Sequence, residues 1–251
     1  MLKVVILGAG NVGTHLFHAI QNSSTGEVVQ WYNRSIKSLE PFKNETSITD
    51  DLSHIQAADL CIISVADDSL QRISETLSFF DGIVVHTAGS VPMEILNKHP
   101  KHGVFYPLQT FSKQRKINFK TVPLCIEANS TKTLALLRDF AQGLCGPIHE
   151  IDSTQRRALH IAAVFVNNFT NHLYAKGEVI CQEYNIPFSI LKPLIAETAA
   201  KIEALSPTLA QTGPALRQDI KTINQHLKQL SDKTSQELYH SLTKSIQNHY
   251  E

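Results

Sequence analysis

The chain has 251 residues, enough for one large domain or two modest ones. Its 23 basic residues balance its 23 acidic residues and no block of like charge appears, so we expect neither nucleic acid nor membrane as a partner. No apolar run approaches the ~20 residues that span a bilayer, and the widely spaced cysteines lack a CxxC pair, which indicates a cytoplasmic protein with reduced thiols. The histidines form no HxxxH or HExxH pair, so no metal site is predicted.

Short β-rich runs alternate with helical stretches over the first ~150 residues, a pattern typical of a parallel α/β sheet. The predicted strands are 2–7, 28–32, 60–65, 83–86, 103–106, 122–126 and 148–151. The predicted helices are 11–21, 35–40, 69–79, 92–98 and 131–143, with another short helix opening at Asp50. We therefore predict a doubly wound, Rossmann-type domain over residues 1–151.

Strand signals almost vanish after Ile151, and helical periodicity takes over. One helix of ~30 residues is predicted to follow the cap residues 152–154 and to run to about Tyr184, followed by helices at 189–204, 214–230 and 234–249. The stretch from Ala158 to Val166 is apolar nearly all round, which is typical of a helix buried on several sides. One small helical domain, 152–251, can scarcely enclose it. We therefore predict a homodimer formed through this domain, and a helix that serves only to dimerise is the alternative to one that also carries site residues.

A glycine-rich turn follows the first predicted strand directly. In the pattern GxGxxG from Gly8, the first glycine permits a tight turn and Gly10 lets a pyrophosphate approach the backbone. Gly13 lets the helix pack closely on the sheet, and the N-terminal N–H groups of that helix attract the anion. We predict that this turn, including Asn11 and Val12, binds a dinucleotide.

The second predicted strand ends at Asn33, 20 residues after Gly13, where NAD enzymes carry an acid for the ribose 2′-hydroxyl. This chain has Asn33, Arg34 and Ser35 there instead. A guanidinium with neutral hydrogen-bonding groups suits a 2′-phosphate, which an acid would repel. These three residues at the end of the strand therefore favour NADP(H) over NAD. The alternative is an ordinary surface turn.

Polar residues also follow the next strands, and ligands of open α/β sheets bind beyond the carboxyl ends of strands. Val65 and Ala66 are placed near the cofactor, mainly through their backbone, and Thr87 one strand further on. His86 and Ser90 are predicted to help fix the substrate on the nicotinamide side. For His86 the alternative is a hydrogen-bonded histidine at a strand end. Three further residues are candidates to face substrate, namely Tyr106, Gln109 and Thr110.

The long helix and the chain after it supply the remaining candidates. His160 and Asn168 fall within one broad face of an otherwise apolar helix, and a buried polar side chain needs a partner. We assign His160 as proton donor or orienter and Asn168 as its hydrogen-bond partner. Arg217, in a helix predicted to begin at Pro214, would bind an anionic substrate group. A satisfied core histidine and a surface ion pair of Arg217 are the alternatives.

Five segments together resemble a family of Rossmann-type proteins labelled as NADP oxidoreductases, with a C-terminal helical domain of uncharacterised function. The segments are GAGNVGTHL from Gly8, HTAGS from His86, YPLQTF from Tyr106, LHIAAVFVNNF from Leu159 and TGPALRQD from Thr212. The family is similar, more distantly, to pyrroline-5-carboxylate reductase, the 6-phosphogluconate and β-hydroxyacid dehydrogenases and the deazaflavin-dependent NADP reductases. The resemblance implies a helical domain like the C-terminal domain of 6-phosphogluconate dehydrogenase.

The resemblance also implies a cofactor and a place for the site. It implies that the first segment binds NADP(H), and that His160 and Asn168 lie where the dehydrogenases keep a Lys–Asn pair. Many nearer members have a histidine at the position of Tyr106. We predict an oxidoreductase that transfers hydride to or from a small carbonyl or imine substrate in the cleft between the two domains. A non-catalytic NADP-binding sensor or assembly protein, and a deazaflavin- or flavin-NADP hydride transferase, are the alternatives.

Overall fold

A computed structural model describes residues 1–250 of the chain. By the packing of its Cα atoms the chain divides into two compact units, which we call unit 1, Met1–Phe165, and unit 2, from Val166 onward. The division falls inside a long helical stretch, whereas the change from strands to helices comes earlier, after Glu150. The predicted domain boundary at 151 follows that change of secondary structure.

Unit 1 is built on one sheet of eight strands. These are β1 (Leu2–Leu7), β2 (Gly26–Tyr32), β3 (Ser47–Thr49), β4 (Leu60–Ile63), β5 (Ile83–His86), β6 (His102–Pro107), β7 (Leu124–Ala128) and β8 (Ile148–Glu150). Their order is β3-β2-β1-β4-β5-β6-β7-β8, and β1 to β6 are parallel. The chain therefore reverses its direction of winding between β1 and β4, which confirms the doubly wound architecture.

Helices cover both faces of this sheet. They are α1 (Asn11–Gln21), α2 (Asp67–Thr76) and α3 (Thr131–Gln142), whereas α4 (Ser153–Ala163) follows β8. Val4 and Ile6 of β1 lie in the core cluster that contains residues of α1 and α3, whereas Val5 and Leu7 lie in the cluster that contains residues of α2. Successive side chains of a strand point to opposite faces, so a strand covered on both sides needs an unbroken apolar run.

Unit 1 departs from the prediction in two strands of its sheet and in three of its short helices. β7 pairs with β6 in the antiparallel sense, because the connection between them contains only the 3-10 turn Phe119–Thr121 and no crossover helix. The short edge strand β3 was not predicted, since three residues carry too little periodicity. The helices predicted at 35–40 and 92–98 are 3-10 turns, Ile36–Ser38 and Met93–Leu96. The short helix predicted near Asp50 is the 3-10 turn Leu52–His54.

The predicted long helix is present but is not regular. A capping box of Asp152 and Gln155 begins α4, and a π-helical segment, Val164–Phe169, separates α4 from α5 (Thr170–Glu183). A π turn contains more residues than the 3.6 of an α turn. The α-helical period on which His160 and Asn168 were assigned to one face therefore does not hold through this segment.

The regular elements of unit 2 within its described residues, 166–250, are all helices. After α5 come α6 (Lys192–Ala204), α7 (Pro207–Ala210), α8 (Ile220–Gln229) and α9 (Lys233–Tyr250). The helix predicted to begin at Pro214 begins only at Ile220, with Asp219 as its N-cap, because Gln218 has a φ of +54° that interrupts helical geometry.

The helices and side chains also bear on membrane spans, metal sites and the state of the cysteines. Among residues 1–250 no helix combines the length and apolar character needed to cross a membrane, and no three His, Cys, Asp or Glu side chains are grouped as a metal site. Four cysteines are free and buried, in agreement with the predicted reduced thiols: Cys61, Cys125, Cys145 and Cys181.

Candidate functional site

A groove of about 550 Å³ lies in unit 1 at the carboxyl ends of β1, β2, β4 and β5. It includes the point where the winding direction of the sheet reverses, which is where doubly wound folds bind their ligands. Of the residues predicted from sequence for cofactor or substrate, twelve line it: Gly8, Gly10, Asn11, Val12, Asn33, Arg34, Val65, Ala66, Thr87, Ser90, Tyr106 and His160.

The three glycines of the turn have distinct environments. Gly8 has a φ of +108°, and a Cβ there would lie 2.0 Å from the Ser64 carbonyl oxygen. A Cβ at Gly13 would lie 2.2 Å from the Gly8 carbonyl oxygen, so this residue must be small for α1 to approach the turn. Nothing lies within 4 Å of the corresponding Cβ position at Gly10. Two glycines thus serve the fold, and the third leaves open space above the backbone.

The turn is held by side chains from the end of β2. The indole Nε1 of Trp31 donates to the Gly8 carbonyl at 2.9 Å. The Asn33 side-chain oxygen accepts from the N–H of Ala9 at 3.1 Å, and its amide nitrogen donates to the Ser35 carbonyl at 3.0 Å. Asn33 therefore positions the turn, in addition to lining the groove. Ser35 precedes the following 3-10 turn without a capping hydrogen bond from its side chain, and it does not line the groove.

Two arginines reach the groove from different elements. Arg34 follows β2, and Arg72 lies on α2. Both side chains are exposed, and neither makes an ion pair with a carboxylate within residues 1–250. Arg72 was missed by the sequence reasoning, because its position on an amphipathic surface helix carries no motif.

A tyrosine and a histidine meet at the other end of the groove. The Tyr106 hydroxyl and Nδ1 of His160 are 3.2 Å apart, and their rings form an edge-to-face pair at 6.2 Å. Burial raises the pKa of Tyr106 above its usual value, so this hydroxyl keeps its proton at neutral pH. Gly89 packs against both rings, since a Cβ there would lie 2.6 Å from Nδ1 of His160. Tyr106 and His160 are 54 residues apart in sequence, and their pairing was not predicted.

Ser90 and Asp67 form a second polar pair in the groove. The Ser90 hydroxyl donates a short hydrogen bond to the Asp67 carboxylate, which stands in the first turn of α2. A carboxylate is favourable at a helix N-terminus. The pair ties the turn after β5 to α2.

His86 does not line the groove, and this corrects the prediction that it touches substrate. Its side chain is completely buried at the end of β5, and Nδ1 accepts from the N–H of Ala88 at 3.2 Å. Burial, aided by the positive charge of Arg156, lowers its pKa to about 3, so the ring is neutral. His86 is thus a positioning residue for the turn that carries Gly89, which is the strand-end alternative described above.

A buried cation fixes the start of α4. Arg156 is completely buried and binds the Glu127 carboxylate, the Val91 carbonyl and the Ser153 hydroxyl. Glu127 also accepts from the Ser153 N–H at 3.0 Å. These bonds join α4 to β7 and to the loop after β5, one helical turn before His160. A buried charge with this many partners sets the orientation of the helix, although sequence reasoning gave Arg156 no role.

Asn168 and Arg217 lie in unit 2 and are not among the residues lining the groove. Asn168 is exposed within the π-helical segment. Arg217 is also exposed, in the turn before α8, where its N–H donates to the Gly213 carbonyl at 3.3 Å. Gln109 and Thr110 are exposed and do not line the groove.

Comparison with known proteins finds one matching domain family and solved structures of similar fold. Residues 122–246 match a domain family described as a domain of unknown function, DUF2520. A putative NADP oxidoreductase from Bacteroides fragilis is 41% identical, with 98% of each chain covered and a TM-score of 0.90. No curated protein matches the sequence.

Two more distant structures share the fold. An imine reductase from a Pseudomonas species is 15% identical, with 99% of this chain and 94% of that chain covered and a TM-score of 0.71. A 1-pyrroline-5-carboxylate reductase from Streptococcus pyogenes is 13% identical, with 98% of each chain covered and a TM-score of 0.62. At these identities the likeness is one of fold.

Proposed function

The chain belongs to the family of the putative NADP oxidoreductase from Bacteroides fragilis, and from this premise we propose that its groove binds NADP(H) for hydride transfer. The substrate is a small molecule with a carbonyl or imine group. One observation carries the proposal: the glycine turn, two unpaired arginines and a Tyr–His pair line the same groove. The names of the more distant relatives, an imine reductase and a pyrroline-5-carboxylate reductase, agree with such a substrate class.

The groove suits each part of the cofactor. The open space at Gly10 and the free N–H groups at the start of α1 fit a pyrophosphate. Arg34 and Arg72 supply positive charge for a 2′-phosphate, with no competing ion pair in residues 1–250. The remaining parts of the cofactor would be held by backbone groups at the strand ends, at Val65, Ala66 and Thr87. When bound, the nicotinamide would supply or accept the hydride.

Tyr106 and His160 would handle the proton. Reduction of a carbonyl or imine leaves an oxygen or nitrogen that takes up a proton, and oxidation releases one. The Tyr106 hydroxyl is protonated, half-buried and bonded to His160, so the pair can donate to the substrate while the imidazole exchanges protons with solvent. Ser90, held by Asp67, would help to orient the substrate. For Asn168 and Arg217 the proposed substrate contacts rest on the family resemblance.

The cofactor proposal is tested by titrating the protein with NADPH and NADH while following fluorescence. NADPH should bind at least about tenfold more tightly, and Arg34→Ala should weaken NADPH by roughly 10- to 150-fold while leaving NADH nearly unchanged. Arg72→Ala should act in the same direction. Arg138→Ala, which removes a cation paired with Glu150 elsewhere in unit 1, is the control and should change neither affinity. Equal losses for both cofactors would remove the 2′-phosphate assignment.

The chemical step is tested by screening keto and imino acids for NADPH oxidation. His160→Ala and Tyr106→Phe should keep the cofactor Kd within about twofold and lower kcat by roughly 10²- to 10⁴-fold. Tight NADPH binding with no turnover of any carbonyl, imine, flavin or deazaflavin would favour the non-catalytic sensor. Turnover with a flavin or deazaflavin alone would favour the hydride transferase between cofactors.

We also propose that unit 2 forms the interface of a homodimer. Large apolar side chains are exposed along its helices, among them Ile190 and Leu194, which are 64% and 63% exposed and lie one helical turn apart. A second copy presents the same apolar surface, and an isologous interface of this kind closes as a dimer.

A further inference from the structure

A second cavity of unit 1, of about 580 Å³, lies apart from the groove. One wall is the face of α1 that carries Thr14, His15 and His18, and the other is the 113–120 segment between β6 and β7. The end of α3, at Gly143, closes it. None of its lining residues lines the cofactor groove. Its size is within the range of cavities that hold small molecules.

The cavity is strongly positive although the chain as a whole is neutral. Its lining includes four Lys or Arg residues and two histidines and no Asp or Glu: Lys113, Arg115, Lys116, Lys120, His15 and His18. Within residues 1–250 none of the four cations is within ion-pair distance of a carboxylate. The sequence analysis found no block of like charge and therefore did not single out the cations of the 113–120 segment. Concave walls of one sign concentrate the opposite charge.

The cationic segment is packed against the unit. Phe111 and Phe119, on either side of it, stack with ring centroids 6.0 Å apart, and Phe111 also contacts the His15 ring at 5.0 Å. One His15 ring nitrogen, Nε2, hydrogen-bonds with the Ser112 carbonyl at 3.1 Å. The Lys120 ammonium donates to the Gly143 carbonyl, at 2.6 Å, where the α3 dipole favours a cation. The cations therefore surround a formed cavity.

We propose that this cavity binds a small molecule with two or more phosphate groups on an apolar or aromatic body. The free guanidinium and ammonium groups of Arg115, Lys113 and Lys116 provide charge-assisted hydrogen bonds to phosphate oxygens. The remaining wall is apolar and suits the body of such a ligand, at Ala19, Ile117, Phe119 and Leu144. A concave site with one apolar wall fits a small ligand better than a long polyanion, which needs an extended positive surface. The site is separate from the proposed oxidoreductase groove.

The test follows the ring signals of His15 and His18 by NMR while the full chain is titrated with inorganic pyrophosphate. These two side chains line this cavity and not the groove, so a Kd from their signals reports this site. Assignments come from His15→Gln and His18→Gln. Saturable shifts are expected, and Arg115→Gln with Lys116→Gln should raise the Kd by at least about tenfold.

The matched control is Arg34→Gln with Arg72→Gln, which removes the same charge from the groove. It should change the Kd for pyrophosphate, read from His15 and His18, by less than about twofold. Equal weakening by both pairs would mean long-range attraction only and would overturn the proposal, as would the absence of saturable shifts at millimolar pyrophosphate. A short DNA duplex that moves the same signals while pyrophosphate does not would also overturn it, in favour of a nucleic acid.

Discussion

Unit 1 buries its apolar residues within itself, and unit 2 hardly does. Of the apolar residues that are buried within residues 1–250, only Cys181, Ala215 and Ile223 lie in unit 2. Of the large apolar side chains that are exposed, most lie there, including Val179, Leu194 and Leu209. A two-faced sheet encloses a core with its own helices. Within residues 166–250, unit 2 has no sheet, and its exposed apolar side chains are the observation behind the proposed homodimer.

The difference teaches that the two units contribute different things: unit 1 has its own core and the candidate groove, and unit 2 has exposed apolar surface. Every described element of the candidate groove belongs to unit 1, whose core requires no second copy. Unit 2 contributes apolar surface out of proportion to its interior. We therefore expect substitutions in unit 1 to act on folding or cofactor binding, and exposed apolar substitutions in unit 2 to act on assembly.

The largest expected effect is on the free energy of unfolding. Ile62→Ala, at a completely buried position of β4, should lower it by about 2–5 kcal/mol, the loss of transfer free energy plus a cavity. Leu209→Ala in unit 2 removes a side chain that is 74% exposed and should change it by less than about 0.5 kcal/mol. Urea denaturation at low protein concentration measures both. A similar cost for the two would abolish the contrast between the units.

An intermediate effect is expected from pH, through His86 in unit 1. Its pKa is about 3 in the folded chain against an ordinary value of 6.5, so between these values the unfolded state binds a proton that the folded state does not. The contribution of His86 to the free energy of unfolding is fully present above pH 6.5 and is lost toward pH 3. At pH 5 the loss amounts to about 2 kcal/mol.

The measurement is the urea midpoint as a function of pH for the wild type and His86→Asn. The amide oxygen of the introduced asparagine can still accept from the Ala88 N–H, but this side chain does not titrate. The fall of the urea midpoint between about pH 6.5 and pH 5 should therefore be smaller in the variant than in the wild type. An unchanged dependence would assign the acid sensitivity of unit 1 to other groups.

The smallest effect on the stability of a single protomer is expected from Ile190→Ser with Leu194→Ser. Both side chains are exposed, so helix content and the unfolding midpoint of the dilute protein should stay nearly constant. The molar mass from light scattering should fall from dimer to monomer. Phe79→Ser, at a 50% exposed position of unit 1, is the control and should leave the mass unchanged. A wild type that is monomeric at micromolar concentration would refute the dimer.

The sequence predicted best where local constraints decide the structure. The run Leu2–Leu7, the turn at Gly8 and the helix predicted at 131–143 all have local signals, and the structure confirms the strand, the turn and the helix. The assignment of separate roles to the glycines also agrees with the space around Gly8, Gly10 and Gly13.

The features that sequence did not predict depend on distant contacts. Tyr106 bonds to His160 across 54 residues, and Arg156 meets Glu127 across 29 residues. The burial of His86 depends on what packs over the end of β5, which no local pattern shows. The helix start at Ile220 was misplaced because Pro214 is favourable in a first turn, whereas the positive φ of Gln218 is set by the fold.

Gly89 packs so closely against His160 and Tyr106 that a substitution at this one position should disturb both rings. A single methyl group there would meet Nδ1 of His160 at 2.6 Å and the Tyr106 ring at 2.9 Å, so even alanine forces the two rings apart. The glycine turn that would receive the pyrophosphate lies on a different strand end and is untouched. We therefore expect Gly89→Ala to retain the affinity for NADPH that we propose for the groove and to lose the proposed proton transfer, so that the variant separates the two roles.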